Sequence, residues 1–288
     1  MTSKPEMQGT GRTDAERVAE SYYDSSDADA FYETVWGGED IHIGLYEPGL
    51  SIQAASRRTV VAMAELLQTL GPDSRVLDLG AGYGGSARYL AREFGCHVTC
   101  LNLSEVQNER NRQLNRQQQL EHRVSVLHGS FESIPCEADS FDIVWSQDAF
   151  LHSDRRTQII SEIDRVMTHR GELVFTDPMQ ADDCPEGVLK PVYDRLDLQS
   201  LASIAFYRSQ LAAHGFQEQK ILNLVFQLRN HYDNVRAKLE ADRAELSQNI
   251  SAAYIDRMIA GLKHWVAAAD AGYLAWGILY FTRNIDAS

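Results

Sequence analysis

The residues whose types could do chemistry stand just behind short apolar runs. Asp148 and His152 are four apart in FDIVWSQDAFLH, so one helical turn would bring a carboxylate and an imidazole to the same face. Such a pair can hold an amine and move its proton. The plainer reading of His152 is a structural hydrogen bond near a sheet edge. In VLDLGAGYGG, Gly80, Gly82, Gly84 and Gly85 let the backbone turn sharply without a Cβ clash. Between a strand and a helix, that turn offers free N–H groups and a positive dipole end to a nucleotide-type cofactor. Tyr22, Tyr23, Tyr32 and Trp36 crowd one N-terminal stretch. Their ring faces would either wall a positively charged centre or pack a cap onto the domain.

Two cofactor patterns overlap at the turn. Gly80, Gly82 and Gly85 satisfy G-x-G-x-x-G, the dinucleotide fingerprint, weak by itself. Asp78, Gly80, Gly82 and Gly84 satisfy D-x-G-x-G-x-G, which resembles the first motif of S-adenosylmethionine (SAM) methyltransferases. A nicotinamide site wants an acid about 20 residues later for the ribose, and the next strand delivers Asn102 instead. An amide can also bond a ribose hydroxyl, so at this level neither cofactor is excluded.

The elements that must position these groups repeat along the chain. Apolar runs at 75–79, 97–101, 124–127, 141–145 and 172–176 alternate with helical spacings, which predicts a doubly wound parallel sheet. Ligands of such sheets sit beyond the carboxyl ends of the strands, where the polar residues above fall. Residues 1–13 read as a polar, disordered tail. Residues 14–70 read as an N-terminal helical cap, 71–180 as the cofactor-binding core, and 181–288 as a substrate-side insertion followed by helices and closing strands. The charged stretch from 230 to about 269 reads as a solvated helix pair, and 273–282 as the last strand.

Composition narrows the classes. The 288 residues carry 41 acids against 27 bases, a formal net charge of −14. That balance disfavours nucleic acid and anionic membrane surfaces, and it also suits a salty cytoplasm. No apolar run reaches membrane length, and the N-terminus lacks the apolar centre of a signal peptide. The four cysteines match no zinc spacing and no disulfide framework. A cytoplasmic protein without a metal is expected, a monomer or weak homodimer acting on a small molecule.

The motif set VLDLGAGYGG, LNLSEVQ, GSFESIP, FDIVWSQDAFLH and LVFTDPM resembles class I SAM-dependent methyltransferases along nearly the whole chain. With YYDSSDADAFY, VWGGEDIHIGLY and LNLSEVQNERNR it is similar to the sarcosine/dimethylglycine N-methyltransferases of glycine betaine synthesis. The resemblance implies a Rossmann-like α/β fold with a mostly parallel seven-stranded sheet, an N-terminal lid and an insertion after strand five. It places Gly80 and Gly82 beside the methionine part of SAM, and Asn102, Leu103 and Gln107 along its ribose. Ser130 and Phe131 would border the adenine, and Gln147 would face the methionyl group under Tyr23, Ile41 and His42. Leu103 and Phe131 are otherwise ordinary core residues, and His42 a solvent-facing lid residue.

For methyl transfer to an amine, His152 becomes the expected base or proton shuttle. Asp148 would hold the amine or orient the imidazole, and Tyr23 would share the catalytic centre. A mechanism without a dedicated base is the alternative. Tyr22, Tyr32, Trp36 and Trp145 would accommodate cationic groups. Arg195 occupies the place where phosphobase relatives hold an anionic end, and it suits a carboxylate. Its alternative is a surface ion pair with Asp194 or Asp197. Met179 would border the same pocket or lie in plain core. The rival functions are a phosphoethanolamine-type or other small-molecule methyltransferase, a non-catalytic SAM-binding protein and, more distantly, an NAD dehydrogenase.

Overall fold

The computed structural model describes residues 13–36 and 38–283, so the expected N-terminal tail lies almost wholly outside the described residues. The strands are β1 (Arg75–Leu79), β2 (His97–Asn102), β3 (Val124–His128), β4 (Phe141–Gln147), β5 (Met167–Thr176), β6 (Met179–Gln180), β7 (Phe216–Asn223), β8 (Leu274–Ala275) and β9 (Gly277–Arg283). Seven form one sheet in the order β3-β2-β1-β4-β5-β9-β7; β6 and β8 pair separately. β1 to β5 are parallel, and β9 runs antiparallel between β5 and β7. The expected mostly parallel seven-stranded sheet is therefore present. Its order reverses at β1 and β4, the switch point where such folds bind ligands.

The helices are α1 (Asp14–Tyr23), α2 (Ser26–Phe31), α3 (Ile52–Ala64), α4 (Gly85–Phe94), α5 (Glu105–Gln117), α6 (Arg156–Val166), α7 (Lys190–Tyr193), α8 (Ile204–Ala213), α9 (Val225–Ala241), α10 (Arg243–Leu246) and α11 (Ala252–Asp270). Alternation along β1 sends Val76 into one layer with α3 and α4, and Leu77 and Leu79 into the other with α6 and α8. Both faces of the sheet are thus covered, as parallel strands require.

A third apolar cluster lies outside these two layers and forms the cap. It joins Phe31, Tyr32, Trp36 and Ile43 to α9 and α11 through Leu228, Tyr232, Ile255, Met258, Leu262 and Trp265. Here the expectation of a solvated helix pair is corrected. Charges along α9 pair with one another on its outer side, as in Arg229–Asp233 and Arg236–Asp233. Leu228, Tyr232, Val235 and Leu239, at helical spacing on the opposite side, are buried. High charge hid an apolar stripe.

Candidate active site

The glycine turn after β1 leads into the site. Gly80, Gly82 and Gly84 all have positive φ, and Gly84 caps α4 in the left-handed region. The Gly80 N–H donates to the Leu101 carbonyl at 2.8 Å, which fixes the turn against β2. A Cβ at Gly80 would stand 2.4 Å from Ala149 Cβ, and one at Gly82 would meet Ile41 Cδ1 at 2.8 Å. Chain from β4 and from the lid therefore closes tightly over the turn.

A cleft opens there, with an empty volume of about 700 Å³, mouth included. Of the residues expected to hold a cofactor, Tyr23, Ile41, Gly80, Gly82, Asn102, Leu103, Gln107, Phe131 and Gln147 line it, joined by Asp148 and His152. On its α5 side, Asn102 Nδ2 donates to Gln107 Oε1 at 3.0 Å. Ser130 and His42 are not among the lining residues. The Ser130 hydroxyl instead accepts from the Glu132 N–H at 3.0 Å, tightening the loop after β3. His42 is buried rather than solvent-facing, 3.9 Å from Asp40, and burial pulls its imidazole down to about 4.

The cleft also recruits Glu16, Glu20, Ser104 and Glu132, which the sequence reading did not single out. Glu16 and Glu20 sit one helical turn apart on α1, and that spacing could have signalled them. Glu132 has one buried oxygen without a partner, as does the buried amide nitrogen of Gln147. Among the described residues, four carboxylates line the cleft (Glu16, Glu20, Glu132, Asp148) with no lysine or arginine. These carboxylates oppose the pyrophosphate that the turn's N–H groups alone would accept, and they favour a cationic donor. The unpartnered acceptor and donor, with glycines that leave no room for a Cβ, fit SAM, and the acidic lining is what favours it over a dinucleotide.

Asp148 and His152 do not act on each other as their spacing suggested. Asp148 takes φ +52, which breaks the helical turn before Phe150–His152. Its carboxylate accepts from the Ile43 N–H at 2.7 Å and from the Trp276 indole at 2.8 Å. Burial raises its pKa against the opposing effect of His42 and these donors. It ties lid, β4 and β8–β9 connection together, and the imidazole is oriented from elsewhere. His152 Nε2 shares a hydrogen bond of 2.9 Å with the Tyr23 hydroxyl.

Burial, then the charges of Arg195 and Arg156, pull the His152 imidazole down to about 4. Burial likewise raises Tyr23 above the usual phenol range. The phenol therefore keeps its proton and the imidazole is uncharged at working pH, so the pair can relay a proton without carrying a net charge. The amine kcat/KM should therefore show no acid limb near pH 6.5, the ordinary imidazole value. It should climb with pH until the amine itself is neutral. A limb near 6.5 that disappears in His152→Gln would contradict this.

Beyond this pair the cap closes around Arg195. The surface ion pair considered for Arg195 does not form: Asp194 pairs with Lys190 at 2.8 Å, and Arg195 is buried. Its guanidinium carbon stands 5.1 Å from the Tyr232 ring centre and 6.0 Å from those of Trp36 and Trp265. Its Nε and Nη1 have no hydrogen-bond partner. Tyr22 and Tyr32 flank the group, their hydroxyls 3.3 Å apart, with Tyr23 packed edge-on against Tyr22 at 5.0 Å. The Tyr254 hydroxyl donates to that of Tyr22 at 3.4 Å; Tyr232, Tyr254 and Trp265 are not singled out by the sequence because their chain segment looks solvated. Two expectations fail: Met179 packs in the core under α8, and Trp145 in the layer with α3 and α4.

Comparison with known proteins agrees with this geometry. A family model described as a methyltransferase domain matches residues 77–175. A sarcosine/dimethylglycine N-methyltransferase from Halorhodospira halochloris is 52% identical over 271 residues, covering 93% of this chain and 96% of that protein. The chain belongs to the sarcosine/dimethylglycine N-methyltransferase family. A second member, from Aphanothece halophytica, is 50% identical over 93% of this chain and 97% of its own. The crystal structure of a candidate sarcosine dimethylglycine methyltransferase from Galdieria sulphuraria superposes with a TM-score of 0.87 at 40% identity, covering 93% of this chain and 100% of that one. This methyltransferase is thus SAM-dependent, and the nicotinamide alternative left open by the glycine pattern is closed.

Proposed function

We propose that the enzyme methylates the nitrogen of sarcosine and dimethylglycine to give glycine betaine. The observation that carries the reading is Arg195, a buried guanidinium with two unpartnered donors, close enough that its charge adds to burial in holding the His152 imidazole uncharged. A buried cation without a counter-charge is costly and calls for an anionic ligand. A single planar guanidinium matches a carboxylate. A phosphate would want more cations, and the neighbouring Arg156 gives both Nη atoms to the Ser200 hydroxyl and carbonyl and the Leu151 carbonyl, which leaves only its Nε without a partner.

Gly80, Gly82, Asn102, Gln107, Glu132 and Gln147 would hold the cofactor. Bound there, SAM supplies a methyl group on a sulfonium and leaves as a neutral thioether. The protein's remaining work is alignment and exclusion of water, worth several kcal/mol when reacting atoms are held in line. Arg195 would fix the carboxylate end of the amino acid. Burial beside that positive charge favours the neutral amine over the ammonium, which frees the lone pair. The Tyr23–His152 pair would receive the amine's hydrogen bond, while Tyr22, Tyr32 and Trp36 turn ring faces to the growing cation.

A screen with methyl-labelled SAM over glycine, sarcosine, dimethylglycine and phosphoethanolamine tests this. Label should enter sarcosine and dimethylglycine and not phosphoethanolamine. Label in phosphoethanolamine alone would support the phosphobase alternative, and tight SAM binding without any acceptor would support a binding protein. The same reading makes the enzyme a cytoplasmic monomer or weak homodimer without a nucleic-acid partner. It is supported by four free cysteines and a net charge of −14. Among the described residues no helix is long and apolar enough to cross a membrane.

A further inference from the structure

Gly261 lies inside α11, a helix of 19 residues. Glycine in a helix interior costs about 1 kcal/mol relative to alanine, so its presence wants a packing reason. The reason is visible: a Cβ at Gly261 would stand 2.7 Å from Arg195 Cγ, 2.8 Å from Cδ and 3.0 Å from Cβ. These atoms form the root of the side chain, not its free end. The head is boxed by the rings of Tyr232, Trp36 and Trp265. With root and head both confined, a methyl group on α11 must push the guanidinium out of place.

We infer that Gly261 is a positioning residue: by letting the Arg195 stem lie flat on α11, it sets where Nε and Nη1 stand and so the preference for amines that carry a carboxylate. The inference rests on the reading of Arg195 as the carboxylate anchor. Gly261 itself touches no substrate; it acts through the arginine.

The test compares kcat/KM for dimethylglycine with that for N,N-dimethylethylamine, the same tertiary amine without a carboxylate. It uses the wild type, Gly261→Ala, Arg195→Ala and the double variant. Gly261→Ala should lower the ratio about 10- to 100-fold, the scale of loss from a misplacement near 1 Å. The loss should appear in KM for dimethylglycine, with the SAM dissociation constant unchanged. In the Arg195→Ala background the same substitution should add nothing, since coupled residues are not additive.

Equal losses for both amines, or the same loss with and without Arg195, would overturn the inference. If Arg195→Ala leaves the ratio untouched, the anchor reading fails and the inference falls with it. Should Gly261→Ala not fold alone, the double variant decides. Folding restored by removing the arginine supports the contact, and an insoluble double variant refutes it.

Discussion

Replacing Arg195 with alanine should raise KM for dimethylglycine on the order of 100-fold or more and leave SAM binding within about twofold. Two charge-assisted hydrogen bonds of about 1.5–3 kcal/mol each are at stake, and each 1.4 kcal/mol is about tenfold in affinity. The cofactor should be indifferent because Arg195 is not among the residues that line its cleft. Arg195→Lys should fall between, since an ammonium keeps the charge but loses the planar fork. Steady-state kinetics with each substrate varied, together with calorimetry for SAM, separate the two effects. A change of equal size for both ligands would sink the carboxylate role.

Gly80→Ala should abolish measurable SAM binding. The residue has φ +75, which L side chains rarely adopt, and its Cβ would lie 2.4 Å from Ala149 Cβ. The obstacle is Ala149 Cβ, fixed to the backbone just past β4 and unable to rotate away, so the turn must deform where the donor's methionine part would rest. Fold stability should drop by about 1–3 kcal/mol from strain and overpacking. Gly82→Ala is the informative comparison: φ is +51 there as well, but its Cβ meets only the Ile41 side chain, which can shift. A weakening of about tenfold is expected there, within the range of a shifted contact. Calorimetric titration checks both, and wild-type affinity in Gly80→Ala would refute the assigned cradle.

The five parallel strands and the glycine turn were legible in the sequence because each depends on neighbours along the chain. A buried parallel strand needs a short apolar run, and a sharp strand-to-helix turn needs positive φ, hence Gly80, Gly82 and Gly84. The crowding of Tyr22, Tyr23, Tyr32 and Trp36 was equally plain. Spacing misled at Asp148 and His152. A helical turn was assumed, whereas Asp148 adopts φ +52 and gives both carboxylate oxygens to Ile43 and Trp276. No local pattern announces partners so distant in sequence.

By itself, then, the sequence determined the strand–turn–helix core, the aromatic flap and the family they resemble, since short-range periodicity and backbone conformational limits carry that information. Only the tertiary structure decided that Tyr23 orients His152, that among the described residues four acids and no lysine or arginine line the cofactor cleft, and that Arg195 lies buried between α9 and α11 with Gly261 beneath it. These depend on which side chains far apart in the chain converge. The packing of the cap against the sheet settles that, because it sets the burial that neutralises His152 and strips Arg195 of a counter-charge.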